Sequence, residues 1–251
     1  MAAVSDRRTQ GVMLLTVGGM ALWLGLSDAT LSYVRAWLRL PLAASGLVLL
    51  VLAVATLRWE SGEHGEPAGH DHGHGDRGPR SAWLLVVPVL VLLLVAPPAL
   101  GSYAASRRAP GAGGDPSGDF PALPEAVGGA VPLAVSEFVS RALYDQHRSL
   151  AGVRVRVLGF VTPADKPGQG YRLARFNFFC CAADAEAYEI TIRGDATRRQ
   201  ADQWLLVEGR WLPEPVAKAT APSTRRPVLI VDSVTPVAPP ADRYEHNLYA
   251  F

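Results

Sequence analysis

The sequence predicts an α + β membrane protein, with N-terminal transmembrane helices followed by a small all-β domain, an OB-like five-stranded barrel. Three observations predict it. Apolar residues collect before residue 101. Most of the charge, the strand-like segments and both cysteines follow it. Between these regions lies a Gly/Pro-rich stretch that can build no core.

Residues 11–26 (GVMLLTVGGMALWLGL) carry no charge and, extended to residue 30, form the first expected helix. Arg7 and Arg8 before it resemble the basic start of a signal peptide, but no small-residue cleavage site follows and more apolar segments do, which favours an anchor. The second expected helix, 38–57, is about one bilayer thick and is flanked by Arg39 and by Arg58-Trp59, where interfacial anchors belong. The third, 81–100, holds no charge, opens near Trp83 and closes on Pro97-Pro98. So much apolar sequence has too few polar neighbours to be covered as a soluble core. A multi-pass location in the plasma membrane follows. Arg7, Arg8, Arg58, Arg77 and Arg80 against Arg35, Arg39, Arg107 and Arg108 favour an inside N-terminus, and three spans then put the C-terminal domain on the extracytoplasmic side.

The second and third helices are joined by a His-rich loop, 61–80, carrying His64, His70, His72 and His74 among Glu63, Glu66, Asp71 and Asp76. Imidazoles and carboxylates on a pliable tract can wrap a zinc, copper or nickel ion, and the same composition also suits a solvated polar loop. The boundaries expected are a membrane region 1–106, a flexible linker 107–131 and a soluble domain 132–251. The last of these holds 15 Lys/Arg against 13 Asp/Glu, and the whole chain carries a formal charge of +1. No electrostatic footprint for a polyanion exists, so nucleic acid is not an expected partner.

In the C-terminal domain, residues 132–144 suit a short amphipathic helix with Ser136 as its cap and Glu137 in its first turn. Strand-like runs follow at 153–161, 171–179, 188–193, 204–211 and 227–234, the first alternating apolar and basic residues with a bend or bulge expected at Gly159. Closing five short strands into a barrel removes exposed edges. A small open sandwich is the alternative. Tyr171, Phe176, Phe178, Trp204 and Trp211 suit the core of such a domain better than a set of stacking platforms.

Cys180 and Cys181 are adjacent, and a bridge between sequence neighbours is far from ordinary disulfide geometry. On an extended backbone their thiols diverge; in a turn they converge and, with Asp184, can hold zinc or copper(I). Two other readings stay open: small buried residues at a strand end, or a thiol redox pair activated by Arg175. No phosphate loop, Ser/His/Asp pattern or H-E-x-x-H pattern occurs, so a non-enzyme is expected.

The apolar N-terminal helices, the His-rich loop, Pro97-Pro98, Arg175-Phe176, Cys180-Cys181, Ala183-Asp184-Ala185, Asp202-Gln203-Trp204, Gly209 and Trp211 together resemble a family of bacterial permease subunits. The resemblance implies an accessory subunit beside a larger multi-spanning permease, and transition-metal handling with zinc foremost. Alternatives of other classes are a membrane-anchored vicinal-thiol redox protein or metal sensor, and a protein-interaction module at the membrane surface.

Overall fold

The computed structural model describes residues 2–59, 91, 99–111, 119–164, 170–213 and 226–245. The His-rich loop lies outside them, as does the third expected span except for Val91 and residues 99 and 100. The chain divides into two compact units, Met1–Pro98 and Ala99–Phe251.

In the first unit α1 (Ala2–Leu26) leads through 3-10 turns at Asp28–Ser32 and Ala36–Leu38 into α2 (Arg39–Trp59). Gly11, Gly18 and Gly25 recur every two helical turns and so share one face of α1. They meet Leu57, Leu49 and Ala43 in turn, which makes the pair antiparallel. A Cβ on Gly46 would lie 2.5 Å from the Leu22 nitrogen, and one on Gly25 would lie 2.7 Å from that of Ala43. Only glycine permits backbones this close. Arg39 donates to the carbonyls of Gly25 and Leu26 and pairs with Asp28, so it satisfies acceptors that α1 leaves open at its end. Around this seam the helices are apolar: Trp23, Trp37, Leu47, Val48 and Val51 are all more than half exposed.

Among the described residues, one helical stretch, Ala36–Arg58, is long and apolar enough to cross a membrane; Gln10–Leu26 is apolar but shorter.

The second unit begins earlier than the expected boundary at 132. Part of the stretch read as a tether is built into it: α3 (Ser102–Ser106) is followed by residues that pair with the sheet. Asp202 accepts hydrogen bonds from the Ser102 N–H and hydroxyl, Leu100 N–H donates to the Tyr244 hydroxyl, and Gly111 N–H donates to the Ala187 carbonyl. Farther along, the Pro121 carbonyl accepts from Arg141.

Then come β1 (Val131–Pro132), α4 (Val135–Tyr144), β2 (Arg154–Pro163), β3 (Tyr171–Asn177), β4 (Glu186–Arg193), β5 (Trp204–Leu212), β6 (Val228–Pro236) and β7 (Tyr244–Glu245). The expected runs become β2 to β6. Among the described residues the sheet has seven strands in place of five, because β1 and β7, two residues each, add in parallel to β2 and β3. Its order is β1-β2-β5-β6-β4-β3-β7, with a further antiparallel pairing of β2 with β3 that links the long strands in a cycle. β2 keeps its register with β5 through Gly159, so of the bend or bulge expected there the bulge is ruled out; a register shift lies between Glu208 and Gly209, where a Cβ would come within 2.1 Å of the Ile230 carbonyl oxygen.

One core gathers Val155, Val157, Leu173, Ile190, Leu205 and Leu229 beneath Val135, Phe138 and Val139 of α4. A second gathers Phe160, Phe176, Phe178, Trp204 and Tyr244 with Ala105 of α3. β3 is buried at every position because it serves both, Leu173 facing the first core and Phe176 the second. The cap of α4 also differs from expectation. Ala134 stands at the N-cap, Ser136 lies inside the first turn, and the carboxylate of Glu245 accepts the N–H groups of Val135 (2.6 Å) and Ser136 (2.8 Å). Burial pushes the pKa of this carboxyl up against the pull of Arg175 and of these N–H groups, and its ionised form suits the positive end of the helix dipole.

Candidate metal centre

β3 ends at Asn177. Phe178 stays buried with its ring 4.8 Å from that of Tyr244, whereas Phe179 turns outward and is 65% exposed. The chain then reverses through a 3-10 turn at Ala182–Asp184 into β4. Asp184 closes this reversal: its carboxylate accepts the N–H groups of Phe179 (3.2 Å) and Cys180 (2.9 Å), while its own N–H donates to the Cys181 carbonyl. An Asp at this position is thus a turn-former as well as a donor group.

The turn brings both thiols to the carboxylate. Cys180, Cys181 and Asp184 each offer a ligand atom, and these atoms all lie within 4.8 Å of one another. Both cysteines are half-buried free thiols and Asp184 is exposed, so the cluster opens to solvent. Two soft sulfurs and one hard oxygen are a donor set that zinc accepts at about 2.0–2.3 Å, and tetrahedral zinc needs one ligand more. The thiol of Cys180 donates to Asp184. That hydrogen bond first, then the contact with Cys181 and partial burial, push its pKa up to about 12. Burial pushes the Asp184 carboxyl upward, but the hydrogen bonds from the Cys180 thiol and from the backbone of Cys180, Cys181 and Phe179 outweigh it and hold the group below its ordinary range. The carboxylate is therefore charged at neutral pH, with a proton held on sulfur beside it. A cation arriving here displaces that proton.

The turn is braced from α3. Arg108, two residues past the helix, donates to the carbonyls of Ala185 (2.6 Å) and Ala182 (3.4 Å), and its guanidinium lies over the Phe176 ring at 5.7 Å. Nothing in the local sequence marks that arginine. Arg175, considered as an activator of the thiols, lies elsewhere: it pairs with Glu245 at 3.8 Å and stacks on Trp204 at 4.9 Å. Burial lowers its pKa against the pull of Glu245 and Asp242, and its Nε and Nη1 are buried without a hydrogen-bond partner. Tyr171, Phe176, Phe178 and Trp204 are core residues and Trp211 is partly covered. His64, His70, His72 and His74 lie outside the described residues.

Residues 136–247 match the DUF1980 C-terminal domain. That family is uncharacterised. The DUF1980 match runs from the first turn of α4 past β7, so it takes in the Cys180-Cys181-Asp184 turn and the cap of Glu245, and it leaves out the apolar hairpin and α3. No curated protein and no solved structure matches the chain.

Proposed function

We propose that this protein is a non-enzymatic, membrane-anchored accessory subunit that binds a transition metal, zinc foremost, and presents it to a multi-spanning permease. The observation that carries the proposal is the convergence of Cys180, Cys181 and Asp184 on one exposed turn. Three donors make an incomplete site, and an open fourth position suits capture and transfer better than permanent structural binding. The partner supplies that ligand, or water does until the partner arrives. His64, His70, His72 and His74 serve as a second, looser collector of the same ion.

The apolar hairpin supports the anchor, with the bilayer covering faces that the unit leaves bare. The third span of 81–100 completes a multi-pass topology in the plasma membrane, and the sheet domain lies on the extracytoplasmic side. The cycle of five long strands, in the order β2-β3-β4-β6-β5, supports an OB-like reading of that domain. The permease partner comes from the family resemblance. A vicinal-thiol redox enzyme is less well supported, since Arg175, the cation that would activate the thiols, pairs with Glu245 and stacks on Trp204 instead.

Elemental analysis of the full-length chain purified in mild detergent tests the proposal. Zinc is expected to be bound at the turn and to be lost in the Cys180→Ser/Cys181→Ser variant, with a further fraction lost on deleting 61–80. Co-purification at native expression is expected to recover a multi-spanning membrane protein. Zinc content unchanged in both variants would refute the metal reading, and recovery of the chain alone would refute the permease reading.

A further inference from the structure

Three donors leave tetrahedral zinc one ligand short, and among the described residues no further His, Cys, Asp or Glu joins Cys180, Cys181 and Asp184. Glu186, the next carboxylate along the chain, accepts from the Tyr188 hydroxyl. The topology shows where a fourth ligand can come from. β3 ends three residues before Cys180, and β7 runs beside it in parallel, with Phe176 opposite Tyr244 and Asn177 opposite Glu245. Both chains therefore travel towards the cysteine turn, and the residue bonded to Glu245 is His246. His246 itself lies outside the described residues, but that bond keeps its Cα within about 3.8 Å of that of Glu245. Paired strands are about 4.8 Å apart and each residue advances the chain by about 3.3 Å, so Cys180 is no more than about 7 Å farther along than a residue continuing from Glu245. A thiolate from one chain and an imidazole from the other, joined through a metal by bonds of about 2.0–2.3 Å, span a gap of that size. The other histidine of the sheet domain is badly placed. Asn177 donates to the Ser136 hydroxyl in the first turn of α4, whereas His147 follows the far end of that helix, 10 residues or about 15 Å away.

We propose that His246 is the fourth ligand of the metal held by Cys180, Cys181 and Asp184, a proposal that rests on the metal reading above. Successive side chains of a strand alternate faces. A chain continuing past Glu245, whose carboxylate turns to α4, presents its next side chain on the side of Tyr244, where Phe178 packs and Arg108 braces the turn. Zinc accepts imidazole, thiolate and carboxylate in one shell. His246 holds the position that water would otherwise fill, and gives it up when a partner's ligand arrives. The same bond ties the end of β7 to the turn. It thereby fixes Glu245, the acceptor of the Val135 and Ser136 N–H groups, so that metal occupancy is coupled to the cap of α4.

The test uses the full-length chain in mild detergent, loaded with cobalt(II) and then titrated with zinc. Sulfur-to-cobalt charge-transfer absorbance reports metal on the cysteines and is blind to the histidines of 61–80. His246→Ala is expected to weaken zinc at this site at least about tenfold, since even groups that only orient a ligand are worth that much. His246→Cys, which offers another zinc ligand, should restore most of the affinity, and His147→Ala should leave it unchanged. Zinc should slow hydrogen exchange of the Val135 and Ser136 N–H groups in the wild type and not in His246→Ala. Zinc held by His246→Ala as tightly as by the wild type, or weakened equally by His147→Ala, would overturn the assignment of His246 and leave the cysteine site standing. A wild-type chain without the charge-transfer band would overturn both.

Discussion

Replacing Glu245 by Ala is expected to be the most damaging single change in the sheet domain. The carboxylate is buried, caps α4 through two backbone N–H groups and is the nearest counter-charge to Arg175. Loss of a helix cap costs about 0.5–2 kcal/mol. Breaking a buried ion pair by removing one partner costs about 3–5 kcal/mol, because the other charge is left uncompensated. Arg175 already has two guanidinium nitrogens without a hydrogen-bond partner, and only its Nη2, bonded to the carbonyls of Asp242 and Tyr244, would stay satisfied. The contributions overlap, and a total of about 3–5 kcal/mol follows, a large part of the stability of a domain this size. Glu245→Gln keeps an acceptor for the helix and removes only the charge, so it should cost about half as much. Glu245→Gln combined with Arg175→Met should recover part of the loss, since an apolar replacement of the cation relieves the unpaired charge. Urea unfolding followed by tryptophan fluorescence reads the series through Trp204, which stacks on Arg175. Destabilisation below about 0.5 kcal/mol for Glu245→Ala would show that neither the cap nor the pair matters, and the account of α4 would fall.

Further outcomes are expected from the other features. Gly46→Val should pry α1 from α2, because the new Cβ would lie 2.5 Å from the Leu22 nitrogen; a cost of about 1–3 kcal/mol should appear as faster proteolysis of the hairpin in detergent. Asp184→Asn should weaken zinc binding at least about tenfold in a competition titration with a chromogenic chelator, through loss of a charged ligand and of turn closure. Arg108→Ala should weaken zinc binding less and be visible mainly as faster hydrogen exchange in residues 179–186, since it releases the carbonyls of Ala182 and Ala185. At low pH, Asp195 gives a signed expectation. Burial would raise its pKa, but hydrogen bonds from Thr197, Arg199 and Tyr171 outweigh that and bring it to about 2, below the ordinary 3.8. Its contribution is present above pH 3.8 and is lost as the pH falls towards 2, so Asp195→Asn should flatten the acid limb of a stability–pH profile in that window.

The strands were legible because period-2 alternation survives wherever one face is buried: Val155 and Val157 point into the core while Arg154 and Arg156 pair outward with Glu208. The convergence of Cys180, Cys181 and Asp184 was legible only as one geometric alternative, since a turn and an extended chain read alike in a short segment without glycine or proline. What the sequence hid is long-range. Glu245 caps a helix 110 residues earlier, Arg172 is buried against Glu189 from a neighbouring strand, and Asp202 pins Ser102, a residue assigned from sequence to the membrane region. Each depends on a carboxylate meeting its donors across the fold, which no local pattern encodes. β3 shows the same limit, since a strand buried on both faces by two separate cores carries Arg172 on one face and Arg175 on the other, so no single alternation of polar and apolar residues marks it.

The dependence of α4 on Glu245 also orders events in time. The helix is synthesised before β2, yet the groups at its first turn wait for almost the whole sheet domain to be made before they meet their acceptor. The antiparallel β2–β3 and β3–β4 pairings join neighbours in sequence and can assemble while the chain is still emerging, whereas β7 docks only when β3 is already in place. A nascent chain halted before Tyr244 should therefore hold a sheet with an unlatched helix, a form that proteases and chaperones would meet during synthesis but not afterwards.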